Sequence, residues 1–184
     1  MSAETEHSRP RLAPLEQAEW DDFLARLVDA SGGPDRALNI FTTLGRHPEL
    51  FRPWISFGGA LLAGQLPGRV RELAILRTAV RSQADYEWAH HAPMAAELGV
   101  TEEELSAIRR PLADHPWSDE EGDVLRAVDE MHDTWTLSDG SWAAVHGRLG
   151  DAGSIELVML VGQYHLVALL LRTLHVEIET QPDG

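Results

Sequence analysis

Apolar residues recur along this chain at three- and four-residue spacing, the period of helices that bury one face. In "PLEQAEWDDFLARLVDA" (14–30), Leu15, Trp20, Phe23, Leu24, Leu27 and Val28 fall on one side. "SGGPDR" then breaks the pattern, with Pro34 placed to open a new element. "ALNIFTTLGRHPELFRPWISFGGALLAG" predicts two helices parted near His47-Pro48, and "LPG" (66–68) is a turn signal. "RVRELAILRTAVRS" places Val70, Leu73, Leu76 and Val80 at helical spacing, and the next helix runs to about Leu98, capped by Ser82 or Asp85 and stopped by Gly99. Thr101 with Glu104, and Ser118 with Glu121, have the form of capping boxes. "SDGSWAAVHGRL" predicts a short helix, and a nearly all-apolar one runs from Ser154 to about Ile178. No segment alternates with period two for long enough to form a strand. The expected fold is all-α, with about seven to nine helices: an N-terminal arm over 1–14, mobile and polar, then one helical domain over 15–184.

Composition narrows the chemistry. The 184 residues are 43% hydrophobic and 24% charged, as in a soluble globular protein, and the formal net charge is −15. That sign argues against nucleic acid and against anionic membranes, both of which need clustered Lys and Arg. There is no cysteine, so disulfides, thiolate nucleophiles and zinc–thiolate sites are excluded. The N-terminal stretch lacks the apolar core of a signal peptide. "IELVMLVGQYHLVALLL" (155–171) is short for a membrane span and contains Glu156, Gln163 and His165, which favours a buried helix. A cytoplasmic location is the resulting expectation.

The chemically dense stretch is "SQADYEWAHH" (82–91). Glu87, His91, Met94 and Leu98 share one helical stripe, and Ala84, Trp88, His91, Ala95 and Leu98 another. Both stripes contain His91, which predicts an inward imidazole with the Glu87 carboxyl one turn before it. His90 aligns with Glu97 and is expected to be more exposed. A carboxyl stacked on an imidazole in a partly buried setting can shift both groups toward acid–base work near neutral pH. An ordinary i,i+4 pair on a helix flank fits the spacing equally simply. Glu72 reads by spacing as a flank residue paired with Arg69 or Arg71. Glu-x-x-His at 87–90 and Asp-x-x-His at 129–132 also allow a metal reading, but the further bridging carboxylates of a di-metal bundle have no evident source. His165 reads as a hydrogen-bonded core histidine.

Residues 69–109, "RVRELAILRTAVRSQADYEWAHHAPMAAELGVTEEELSAIR", resemble the core of the carboxymuconolactone decarboxylase superfamily, which includes the alkylhydroperoxidase D-like proteins. The resemblance extends to "HPELFRPWISFGGALL", "AVDEMH" and the C-terminal apolar helix, and places the core motif at 66–110. It implies an all-α fold and a homo-oligomer, a trimer or hexamer with a dimer as the alternative. It also implies a site that matches Glu72 and His91, with the Cys-x-x-Cys positions of the thiol-peroxidase branch falling on Ala84 and Glu87. Thiol peroxidase activity is therefore not expected. The decarboxylase branch implies a cofactor-independent acid–base enzyme, a decarboxylase-like or isomerising lyase on a small organic acid or lactone. His91 would be the acid–base group, Glu72 would orient it, and Glu87 would tune it or polarise substrate. Tyr86, Trp88, His90, Trp54 and Arg77 are the substrate-binding candidates. No metal ligand and no cofactor are expected. The alternatives are a non-catalytic ligand-binding or scaffold member, and a metal-dependent enzyme using Glu87 with His90 or His91.

Overall fold

The computed structural model describes residues 9–179, and among these there are eight α-helices and no strand. They are α1 (Asp22–Ala30), α2 (Asn39–Leu44), α3 (Pro48–Leu62), α4 (Gly68–Ser82), α5 (Asp85–Glu97), α6 (Glu102–Ala107), α7 (Asp119–Thr134) and α8 (Asp139–Leu174). The all-α expectation holds.

The chain divides into two compact units, one formed by residues up to Ser56 together with those from Leu170 onward, the other by Phe57–Leu169. In the first, Leu24, Val28 and Phe51 form a core with Trp20, Phe23, Phe41 and Trp54 around it. The Asp21 carboxylate caps α1 by accepting the Leu24 N–H at 2.8 Å. Most of the expected N-terminal arm lies outside the described residues. Its last part is fastened within this unit: the Arg11 N–H donates to the Leu174 carbonyl, and its guanidinium to the Thr173 carbonyl, each at 2.9 Å.

The second unit holds the candidate site. Helix α4 is its centre, with every residue from Glu72 to Ala79 buried. Val70, Ala74 and Ile75 pack with Val124, Ala127 and Val128 of α7 and Leu157, Leu160 and Val161 of α8. Leu73 and Leu76 face Ala95 of α5 and Leu125 of α7. Both expected capping boxes form, Thr101 with Glu104 on α6 and Ser118 with Glu121 on α7. Neither Ser82 nor Asp85 caps α5: its N-cap is Ala84, with no side-chain bond, after Gln83 ends α4 in the left-handed region at φ 53°.

The C-terminal helix departs from the pattern in two ways. The predicted short helix and the apolar one are contiguous, parted only by a break at Gly150 (φ 65°, ψ −173°), where the left-handed backbone favours glycine. The apolar helix also stops at Leu174 rather than near Ile178, with His175 left-handed at φ 53°. Among the described residues α8 is the one helix long and apolar enough to cross a bilayer, and half of its most apolar window is buried inside the protein.

Candidate active site

The tight α4–α5 turn lays the two helices side by side and brings Glu72 and His91, nineteen residues apart, to 2.7 Å between Oε2 and Nδ1. Glu72 is not on a flank: its neighbours on every side are core, and it is fully buried. Its other oxygen, Oε1, accepts from the Arg71 guanidinium at 3.1 Å, and Arg71 is held in turn by the Leu62 carbonyl at 2.8 Å. The flank pairing with Arg71 expected from spacing is thus real but lies inside the fold. With Oε1 so engaged, Oε2 accepts the His91 Nδ1–H, and Nε2 carries the ring's free lone pair.

That lone pair faces a residue the sequence did not single out. The Tyr164 hydroxyl of α8 lies 3.0 Å from His91 Nε2, with the rings edge to face at 5.0 Å. Burial, reinforced by the nearby charges of Glu72 and Glu87, pushes the phenol well above its usual range, so Tyr164 donates its O–H to the imidazole. The available signal was positional. Tyr164 shares the buried face of its helix with Leu157, Leu160, Val161 and Ala168, and a buried phenol needs a partner.

Glu87 is only 2% exposed, and among the described residues neither of its oxygens has a hydrogen-bond partner. Burial pushes its carboxyl up to about 9. At neutral pH it is an uncharged acid within electrostatic range of Tyr164. The expected i,i+4 Glu87–His91 pair is not made, because both nitrogens of His91 are already engaged, one by Glu72 and the other by Tyr164. What results is a series Arg71–Glu72–His91–Tyr164 with a protonated carboxyl beside it.

The other candidates scatter. Tyr86 packs against His90, one turn on along α5, with the rings tilted and their centroids 4.5 Å apart, and His90 is half-buried rather than exposed. Trp88 packs into the core with the Arg109 guanidinium 3.7 Å over its ring. Trp54 belongs to the first unit, where it stacks on Phe51. Arg77 is consumed by structure: Nε and Nη2 both reach Asp129 at 2.7 Å, and Nη1 donates to the carbonyls of Ile108 and Arg110. Four of its five N–H donors are so engaged, which leaves no two-pronged face for a substrate carboxylate.

His132, from the second Asp/Glu-x-x-His motif, turns to His165 rather than to the α5 motif. His132 Nδ1 lies 2.9 Å from His165 Nε2, and His165 Nδ1 donates to the Val161 carbonyl at 2.8 Å, which makes it the hydrogen-bonded histidine expected. Among the described residues no three His, Asp or Glu side chains converge so as to hold a metal ion.

These features can be set beside known proteins. Residues 48–130 match the model of the carboxymuconolactone decarboxylase family. None of the curated proteins matches the sequence. Among solved structures, a peroxidase-related protein from Ralstonia eutropha JMP134 with an alkylhydroperoxidase AhpD core is 16% identical, covering 95% of each chain with a TM-score of 0.82. A peroxidase-related protein from Silicibacter sp. TM1040 is 11% identical, covering 98% of this chain and 96% of its own, with a TM-score of 0.77. The debrominase Bmp8 is 14% identical over 98% of this chain and 96% of its own, at a TM-score of 0.75. At these identities the likeness is one of fold. Residues 48–130 thus match the carboxymuconolactone decarboxylase family model, and the chain carries them, without any cysteine, in a helical fold of the alkylhydroperoxidase D-like type.

Proposed function

We propose that this chain is a cofactor-independent acid–base enzyme, acting as a decarboxylase-like or isomerising lyase on a small organic acid or lactone. The observation that carries the reading is the hydrogen-bonded series Glu72–His91–Tyr164 beside the protonated, unpaired carboxyl of Glu87. A proton-accepting hydrogen-bonded series and a carboxyl that burial keeps protonated stand next to each other.

The base is a relay. The Tyr164 O–H points at His91 Nε2, which leaves the phenol's lone pairs for an incoming proton. A substrate C–H proton passes to the Tyr164 oxygen as the phenolic proton passes to Nε2, and the imidazolium formed rests against the Glu72 carboxylate. The acid is Glu87, whose proton goes to the substrate atom that gains electron density. In a proton shift between two carbons, both groups act. In decarboxylation the C–CO₂ bond breaks, the electron pair spreads into a neighbouring carbonyl, and Glu87 protonates the carbon. His91 then works behind Tyr164 rather than on the substrate directly. The names of the structural neighbours do not transfer: a chain without cysteine has no thiolate for peroxide chemistry.

The test is a panel of γ-lactone acids and related unsaturated acids incubated in D₂O, read by NMR for carbon-bound deuterium and for CO₂ loss. The native chain is expected to convert or exchange at least one member. His91→Ala, Tyr164→Phe and Glu87→Gln are each expected to lower kcat by about 10²- to 10⁴-fold, the usual worth of a positioned acid or base. The alkaline limb of the rate profile is expected near pH 9, where Glu87 loses its proton. Full activity in His91→Ala would overturn the assignment. A compound that binds but is never converted would make the protein a ligand-binding member of its family.

A further inference from the structure

All fifteen basic residues of this chain are arginine. A negatively charged substrate group therefore has only guanidinium to meet, and no lysine is present to form an iminium with a carbonyl. Four of the arginines lie on α4, the helix that carries Glu72. Three of them are committed to the fold. Arg69 reaches Glu104, Glu121 and the Gly99 carbonyl. Arg77 is held by Asp129 and two carbonyls. Arg81 pairs with Asp129 and Asp133.

Arg71 differs in two ways. Among the described residues only two of its five N–H groups are engaged, Nε with Glu72 Oε1 and one of those on Nη1 with the Leu62 carbonyl. Both hydrogens of Nη2 and the second of Nη1 are left over, and together they make the flat end of the fork that fits a carboxylate. Arg71 also stands within the site. Glu72 holds Arg71 on one oxygen and His91 on the other, so one carboxylate group separates the guanidinium from the imidazole. The charge of Arg71 reaches the Tyr164 phenol, where it works against that of Glu72. The Arg71 side chain is 15% exposed where that of Glu72 is wholly buried, so the fork can be approached although the carboxylate behind it cannot.

We propose, on the basis of the acid–base reading above, that Arg71 is the substrate-binding residue that sets specificity here: the free end of its fork takes the carboxylate of an anionic substrate and holds the reacting carbon at the Tyr164 oxygen. The carboxylate so held is retained, because a cation on it favours the charged group over departing, neutral CO₂. The substrate class is a small unsaturated lactone or ketone with one carboxylate on a side chain, and its reaction is the proton shift. Tyr164 takes a proton from carbon as it passes its own to His91. The C–H electron pair moves the double bond, Glu87 protonates the carbon at its far end, and the proton on His91 returns to Glu87 through solvent. Nothing is oxidised and no co-reactant is consumed.

The test compares a butenolide bearing a carboxymethyl group with its methyl ester, which differ chiefly in charge, by NMR in D₂O. The native chain is expected to favour the acid by about 100-fold in kcat/KM, the scale of a two-pronged charged contact. Arg71→Gln is expected to bring that ratio to about one, chiefly by raising KM for the acid. Arg71→Lys, a point charge without the fork, is expected to recover part of it. Circular dichroism checks that both variants fold, and the comparison of acid with ester in the native chain needs no variant. If Arg71 serves only to steady Glu72, Arg71→Gln slows both compounds alike and keeps the ratio, and that result would overturn the proposal. So would an ester turned over by the native chain as fast as the acid, which leaves the acid–base reading standing. Loss of CO₂ from the single carboxylate would overturn its retention. No exchange or conversion in either compound, or in other carboxylate-bearing lactones and enones with their esters, removes the acid–base reading and this proposal together.

Discussion

Glu87 is a group whose cost and whose use have the same origin. Folding carries its carboxyl from 4.5 to about 9 by burial alone, with no bond to offset the lost hydration. Between those values the folded chain keeps a proton that the unfolded chain has released. The folded state then binds more protons, so stability falls as pH rises through that window. At pH 7 the loss is on the order of 3 kcal/mol. Glu87→Gln, which removes the titration and keeps the shape, is expected to unfold in urea like the native chain at pH 4 and to be more stable by about that amount at pH 7. Equal midpoints at pH 7 would show that the carboxyl is not held neutral. The stacking of Glu87 and His91 was legible because both lie on one helix, where spacing fixes direction. The same rule misled in pairing them. What His91 bonds is decided by Glu72 on α4 and Tyr164 on α8, and no periodicity reports contacts between helices.

At the scale of elements, the local signals held where local chemistry was sufficient. Both capping boxes were readable because a cap is satisfied within four residues. What they did not reveal is that one side chain joins them. Arg69 donates to Glu104 and, at 2.8 Å, to Glu121, the N3 residues of both boxes, and at 2.6 Å to the Gly99 carbonyl. Burial alone would raise these two carboxyls, but hydrogen bonds from Arg69 and from their own caps outweigh it and hold both below the usual range. Their contribution is therefore present above about pH 4.5 and is lost as pH falls through the lowered values. Arg69→Ala is expected to cost about 1–3 kcal/mol at pH 7, the range for hydrogen bonds to charged groups, and to move acid unfolding to higher pH. An acid midpoint unchanged from the native chain would sever that link between α6 and α7. The misreadings share a cause. Glu72 was placed on a flank because α4 was read as one-faced, whereas a helix enclosed by α5, α7 and α8 has no flank. The end of α8 at His175 carries no Gly or Pro to announce it.

At the scale of the whole molecule, the absence of one element decides between chemistries that share this fold. A thiol peroxidase needs a thiolate to attack the O–O bond, a second thiol to resolve the sulfenic acid, and a reductant for the disulfide. The four sulfur atoms of this chain all belong to methionine. A thioether attacked by peroxide becomes a sulfoxide, and a dithiol does not return it to methionine in a catalytic cycle. The positions where the resemblance would place thiols carry Ala84, which is the buried N-cap of α5, and Glu87, the proposed acid beside the relay. With an organic hydroperoxide and dithiothreitol, the chain is expected to consume peroxide no faster than buffer. Mass spectrometry is expected to show stoichiometric oxygen addition that stops, at exposed Met94 before buried Met131. Sustained dithiol-dependent turnover would contradict the reading that this site has exchanged thiol redox chemistry for proton transfer. The proposed exchange would keep one frame, the Glu72–His91 hydrogen bond, with the Glu87 carboxyl in the first turn of the next helix as the proposed reactive group. Under the proposed function, the buried carboxyl at one of those positions has a proton to give, where a thiolate would take an oxygen atom.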